Sequence, residues 1–227
     1  MTTPTTVLAA ATPPVRRRLM VLTAASLLGA VLYLPFLSAA DGRATSALWP
    51  FVVGATVASG LAAWMGLRIA DIVNLPMPLL RAFEVREDAR FSTGGLAVAA
   101  AAGLVFGLAG VAALRLTGAP RLPGGLLVRI LTTPFAAITL EVVLHLFFMS
   151  AVVWLARRRV WVGVLASGIL LAAFHLAGST LAPAVQVASV LANGGAGVLF
   201  GWLYSRYGFE YAVIAHAIAH LCTLSLG

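Results

Sequence analysis

The sequence predicts an all-α protein, a polytopic membrane bundle of about seven transmembrane helices. Three observations carry that expectation. Hydrophobic residues make up 61 % of the chain and charged residues only 10 %, a balance outside that of ordinary soluble domains. The apolar residues are gathered into runs close to the ~20 residues that cross a bilayer as a helix. The charges fall between those runs rather than along a repeating polar face. The net charge of +8 is carried by 15 basic residues, all of them arginine. Because they separate apolar runs, they point to membrane topology and lipid head groups, not to nucleic acid. Cys222 is the single cysteine, which excludes an internal disulfide and a thiolate metal cluster.

In chain order, residues 1–18 read as a basic tail, disordered over its Thr-, Pro- and Ala-rich first 14 residues and ending in Arg16-Arg17-Arg18. A single transmembrane domain is expected over 19–227. The first apolar run, 19–40, has the outline of a signal peptide but is long for one, so a retained span is expected. The second and third spans cover 46–67 and 95–116. Between them lies the most charged stretch, 68–94, in which Asp71–Leu80 mixes apolar and polar positions and reads as a solvated loop with a short surface helix, the alternative being a segment along the membrane interface. Residues 117–125, rich in Pro and Gly, read as a further loop. The fourth span, 130–156, has Pro134 near its start and stops at Arg157-Arg158-Arg159. The fifth, sixth and seventh cover 160–177, 183–205 and 208–226. In the sixth, Gly197 and Gly201 form a small-xxx-small pair that admits close helix packing.

Arginine orients the spans. With the N-terminus inside, one side holds Arg16, Arg17, Arg18, Arg68, Arg81, Arg86, Arg90, Arg157, Arg158, Arg159 and Arg206; the other holds Arg43, Arg115, Arg121 and Arg129. Eleven against four favours a cytoplasmic N-terminus, and a bacterial plasma membrane is the expected location.

The chemistry is concentrated in the last three apolar segments and the one before them. Glu141 and His145 lie four residues apart in a run that is otherwise apolar, which at helical spacing puts them on one face. A carboxylate in such a run is rarely kept without a partner or a task. The other three histidines, His175, His216 and His220, all lie downstream in apolar segments. At about 1.5 Å per residue, four of these five side chains fall in one layer of the membrane, with His216 a turn away. A lone histidine in an apolar helix is most often a satisfied core residue. The joint pattern supplies either ligands for a divalent metal such as zinc, from Glu141, His145, His175, His216 and His220, or a general acid/base set. Glu210 opens the seventh span, where an acid suits a helix N-terminus.

Residues 130–227 resemble the CAAX protease and bacteriocin-processing (CPBP, or Abi-type) family of intramembrane endopeptidases. That family shows Glu-Glu-xxx-Arg on one span, Phe-xxx-His on the next and His-xxx-Asn on the last. Here Leu140-Glu141-Val-Val-Leu-His145, Leu171-Ala-Ala-Phe-His175 and His216-Ala-Ile-Ala-His220 stand at those places. The resemblance implies a glutamic or metalloprotease-type hydrolysis of membrane-associated peptides or proteins. It makes Glu141, His175, His216 and His220 the catalytic candidates, with His175 activating water, His216 binding the oxyanion and His220 in the Asn position. Leu140 occupies the place of the first Glu and His145 that of the Arg, so weak or absent peptidase activity is expected. Two other readings are a degenerate member acting as a membrane binding or scaffold protein, and a metal or solute transporter.

Overall fold

A computed structural model describes residues 15–42, 44–85, 91–117, 124–176 and 183–226. Helix α1 runs Arg16–Asp41 and α2 runs Trp49–Val73 behind a short 3-10 turn, Thr45–Leu48. A short helix α3 (Pro78–Val85) leads to α4 (Thr93–Thr117). The next crossing is composite. It begins as α5 (Leu126–Ile130), widens into two π-helical segments, Phe135–Leu140 and Val142–Met149, and ends as α6 (Ser150–Leu155). Helices α7 (Val160–Leu176), α8 (Pro183–Arg206) and α9 (Phe209–Leu226) complete the bundle. No strand occurs among the described residues.

Among the described residues, six helical stretches are long and apolar enough to cross a membrane, and α7 is an apolar helix of 17 residues. The polytopic bundle is therefore present as expected, with boundaries within a few residues of those read from hydropathy. Ile169, Leu191, Val105 and Val53 are among the large apolar side chains left on the outside. In water such a surface would be a liability; against lipid it is the ordinary outer face of a span.

The composite crossing is the axis of the bundle. It is the most enclosed of the six crossings, with 61 % of its apolar window buried. Glycines seat it. A Cβ at Gly29 of α1 would meet the Phe135 backbone at 3.0 Å, and one at Gly66 of α2 the Leu146 carbonyl at 2.7 Å. Gly197 and Gly201 work similarly from α8: a Cβ on Gly197 would come within 2.9 Å of Gly168 in α7. The packing pair read from the sequence thus joins α8 to α7. Without a hydrophobic drive between helices in lipid, such backbone approach is what holds a membrane bundle together.

Two expectations about the polar stretches change. Arg16, Arg17 and Arg18 belong to the first turn of α1, and Arg18 is buried. Its guanidinium donates to both carboxylate oxygens of Asp71 in α2, at 3.0 and 2.6 Å, and Arg81 reaches the same carboxylate at 3.4 Å. The planar fork of arginine matches a carboxylate bidentately, which explains why a charge here is tucked in rather than solvated. Nor is Asp71–Leu80 a solvated loop, because Leu75, Met77 and Leu80 are buried in the main core. The disorder expected for 1–14, most of the loop expected at 117–125, and Arg86 and Arg90 lie outside the described residues.

Candidate active site

The site grows from the junction of the two π segments. In a π-helix the backbone bonds run from i to i+5, a widening that recurs at functional positions. Glu141 lies at that junction and is fully buried, as is His145 one turn on. Adjacent residues on a helix already point in different directions: Leu140 lines a cavity while Glu141 is buried in the interior of the bundle.

Glu141 is held between two imidazoles. Its Oε1 lies 2.7 Å from Nδ1 of His216 on α9, and its Oε2 lies 2.6 Å from Nδ1 of His145. Nε2 of His145 in turn lies 3.0 Å from the carbonyl oxygen of Gly197 on α8. These partners set the protons. A carbonyl only accepts, so His145 donates from Nε2. Two lone pairs would repel at the separation of Oε2 and Nδ1, so a proton resides there too. The contact is bent away from linear hydrogen-bond geometry, as neither atom has a well-aligned partner, and it is best described as an ion pair. Oε1 then accepts from Nδ1 of His216, which leaves the lone pair of His216 on Nε2.

His216 stacks on Phe200, with ring centroids 5.3 Å apart, and lies edge-on to His220 at 6.4 Å. The stack holds the ring in place while its outer edge reaches the cavity. That cavity, of about 390 Å³, is walled by α4, the first π segment, α7, α8 and α9, and includes Leu140, His175, Asn193, His216 and His220. His175 donates from Nδ1 to the carbonyl of Leu171, 2.9 Å away on its own helix. In the neutral ring this leaves the lone pair on Nε2. Nδ1 of His220 lies 3.2 Å from the hydroxyl of Thr133.

Three of the expected site residues, His175, His216 and His220, line one cavity, and Glu141 reaches it only through His216. His145 stands behind Glu141, anchored to the Gly197 carbonyl of α8, and does not line the cavity. Glu210 does not line the cavity; it stands in the first turn of α9, as expected from its place in the sequence, and also reaches a second helix. Its Oε1 accepts the backbone N–H of Leu80 at 2.8 Å, so it caps the start of α3 as well.

Asn193 was legible only as part of a glycine-rich packing stretch, yet it lines the cavity and donates its amide to Ser189, on the same wall. Thr133 carried no sequence signal at all. Hydroxyls are common in spans, and only the tertiary contact singles this one out.

The five residues expected as metal ligands do not fit a zinc centre. Both oxygens of Glu141 and both nitrogens of His145 already meet partners inside the protein. Among the described residues no group of three or more His, Cys, Asp or Glu side chains is placed to hold an ion. A structural or catalytic zinc takes three or four such ligands within roughly 2.0–2.3 Å.

Residues 122–222 match the family model described as Rce1-like, type II CAAX prenyl endopeptidase. Comparison with curated proteins and with solved structures returned no match.

Proposed function

We propose that this chain, which belongs through residues 122–222 to the Rce1-like family of type II CAAX prenyl endopeptidases, cleaves peptide bonds of membrane-associated substrates with His216 as the general base. The observation that carries the reading is the 2.7 Å contact of Glu141 Oε1 with His216 Nδ1. It directs the unprotonated Nε2 of His216 to the cavity, and the buried carboxylate stabilises the imidazolium that forms when that nitrogen takes a proton. Glu141 has no exposed surface, so in this arrangement it is a positioning residue rather than the base itself.

The proposed reaction is as follows. A water in the cavity gives a proton to Nε2 of His216 as its oxygen attacks the scissile carbonyl carbon. Nε2 of His175 is a second acceptor that orients the water. The oxyanion of the tetrahedral intermediate is met by His220, in the position where the family carries Asn. His216 then returns its proton to the departing amine nitrogen as the C–N bond breaks, giving a carboxylic acid and an amine. The His145–Glu141 pair holds the carboxylate in a net-neutral unit, the task that the permanent charge of an Arg performs in the family pattern. No step is routed through a metal, because the donor set does not fit one.

The substrate we propose is a peptide or protein held at the membrane, since the cavity is walled by spans whose outer faces meet lipid. The same reading puts in the cytoplasm of a bacterial cell the arginine-rich end, where Arg16, Arg17, Arg68, Arg157, Arg158, Arg159 and Arg206 are exposed, on the strength of the arginine asymmetry alone. The deciding experiment is cleavage of a membrane-anchored peptide library by purified protein in lipid vesicles, comparing the natural chain with His216→Ala. Cleavage that disappears in the variant supports the reading. Cleavage that persists overturns the assignment of the base.

A further inference from the structure

Thr133 is buried, 6 % exposed, just before Pro134 at the entry to the first π segment. Its hydroxyl meets Nδ1 of His220 at 3.2 Å. A buried hydroxyl hydrogen needs an acceptor. The neighbouring Thr132 gives its own to the Arg129 carbonyl at 2.6 Å. For Thr133 the acceptor met among the described residues is the imidazole nitrogen. If His220 donated instead, the threonine hydrogen would be left unpaired in a buried position.

We infer that Thr133 is a positioning residue: its hydroxyl donates to Nδ1 of His220 and thereby holds the proton of that ring on Nε2, aimed into the cavity. The two histidines of α9 then present opposite functions to the same space. His216, with Nδ1 protonated against Glu141, offers a lone pair; His220, with Nδ1 accepting from Thr133, offers an N–H. An Asn side chain supplies an N–H donor whatever its surroundings, whereas a neutral histidine has two tautomers and supplies one at Nε2 only in the correct form. Thr133 is what lets a histidine stand where the family pattern has Asn. The catalytic half of this inference rests on the proposed endopeptidase reading; the tautomer half does not.

The test separates the two. The chain contains four histidines, few enough for each ring to be resolved in a 15N-histidine spectrum of the protein in lipid nanodiscs. In the natural protein His220 is expected with Nε2 protonated and Nδ1 bare, while His175 and His216 show the reverse. Thr133→Val, close in shape but without the hydroxyl, is expected to turn His220 into a mixture of tautomers. Thr133→Ser is expected to restore the single form. Cleavage is expected to fall roughly tenfold in Thr133→Val, a fraction of the full cost of an oxyanion donor, and to recover in Thr133→Ser. In a His220→Asn background Thr133→Val should have no further effect. A natural His220 protonated on Nδ1 overturns the inference, as does a Thr133→Val effect of equal size in the His220→Asn background. If no variant cleaves any peptide, the endopeptidase reading fails, and the spectrum still decides whether Thr133 sets the tautomer.

Discussion

Leu140 and Glu141 are adjacent in the chain and face different worlds: Leu140 is part of the cavity wall, while Glu141 is fully buried between His145 and His216. The family pattern has glutamates at both places. The retained one is thus the one in contact with His216, and the missing one is at the place that faces the cavity.

A carboxylate restored at the cavity wall should therefore help. Leu140→Glu is expected to raise peptide cleavage ~10-fold or more, within the range a well-placed acid/base group contributes. The family pattern pairs the glutamate at this place with an Arg where His145 stands. On the wall of an open cavity the new carboxylate can be solvated and does not depend on that partner. The measurement is kcat/KM on a cleaved peptide, with folding checked by thermal melting. A folded Leu140→Glu protein no faster than the natural one would mean that position 140 is not oriented towards the reacting atoms.

Glu141→Gln keeps the shape and removes the charge. The amide can no longer accept from both imidazoles, so His216 loses its enforced tautomer and His145 loses its counter-ion. Breaking a buried pair in this way costs about 3–5 kcal/mol, so a lower melting temperature is expected alongside the loss of activity. His216→Ala should reduce cleavage ~10²-fold or more with a smaller effect on melting, because His216 is on the cavity edge while Glu141 is enclosed. Assays well below both melting temperatures separate the two effects. Equal residual activity in Glu141→Gln and the natural chain would show that the carboxylate does not position the base.

The pair between Arg18 and Asp71 makes an independent prediction about stability. Arg18→Met leaves the Asp71 carboxylate without its bidentate partner and should lower stability by roughly 3–5 kcal/mol. Arg18→Met with Asp71→Leu removes both charges, and stability should return most of the way to the natural value. Unfolding in detergent, followed by the protection of Cys222 against a thiol reagent, would report both. A double variant as unstable as the single one would argue against an electrostatic origin.

Chelation offers a further check on the proposed chemistry. Because the donors of Glu141 and His145 are taken up internally, cleavage is expected to continue after dialysis against a strong chelator, and purified protein is expected to carry less than stoichiometric zinc. Loss of cleavage on chelation, restored by added zinc, would require His175, His216 and His220 to rearrange around an ion.

By itself, the sequence determined the class of protein and the segment that matters. Hydrophobicity at membrane length is a local property, so all seven apolar helices were legible, and so was the improbability of Glu141 in such a run. The clustering of every histidine after residue 140 was legible for the same reason. What the sequence could not determine was direction. Whether Leu140 or Glu141 meets the cavity depends on how the composite crossing is rotated against its neighbours, a matter of packing at contacts such as Gly29, Gly66 and Gly201. Charge was misread likewise: Arg18 and Asp71 sit in polar stretches whose composition suits water, and only the approach of α1 to α2 turns them into a buried pair. The proton positions on the four histidines were the most distant from the sequence. For His145, His216 and His220 the partner is brought in by the fold, the Gly197 carbonyl, the Glu141 carboxylate and the Thr133 hydroxyl, and a contact of that kind exists only once the helices have packed; for His175 it is the Leu171 carbonyl of its own helix.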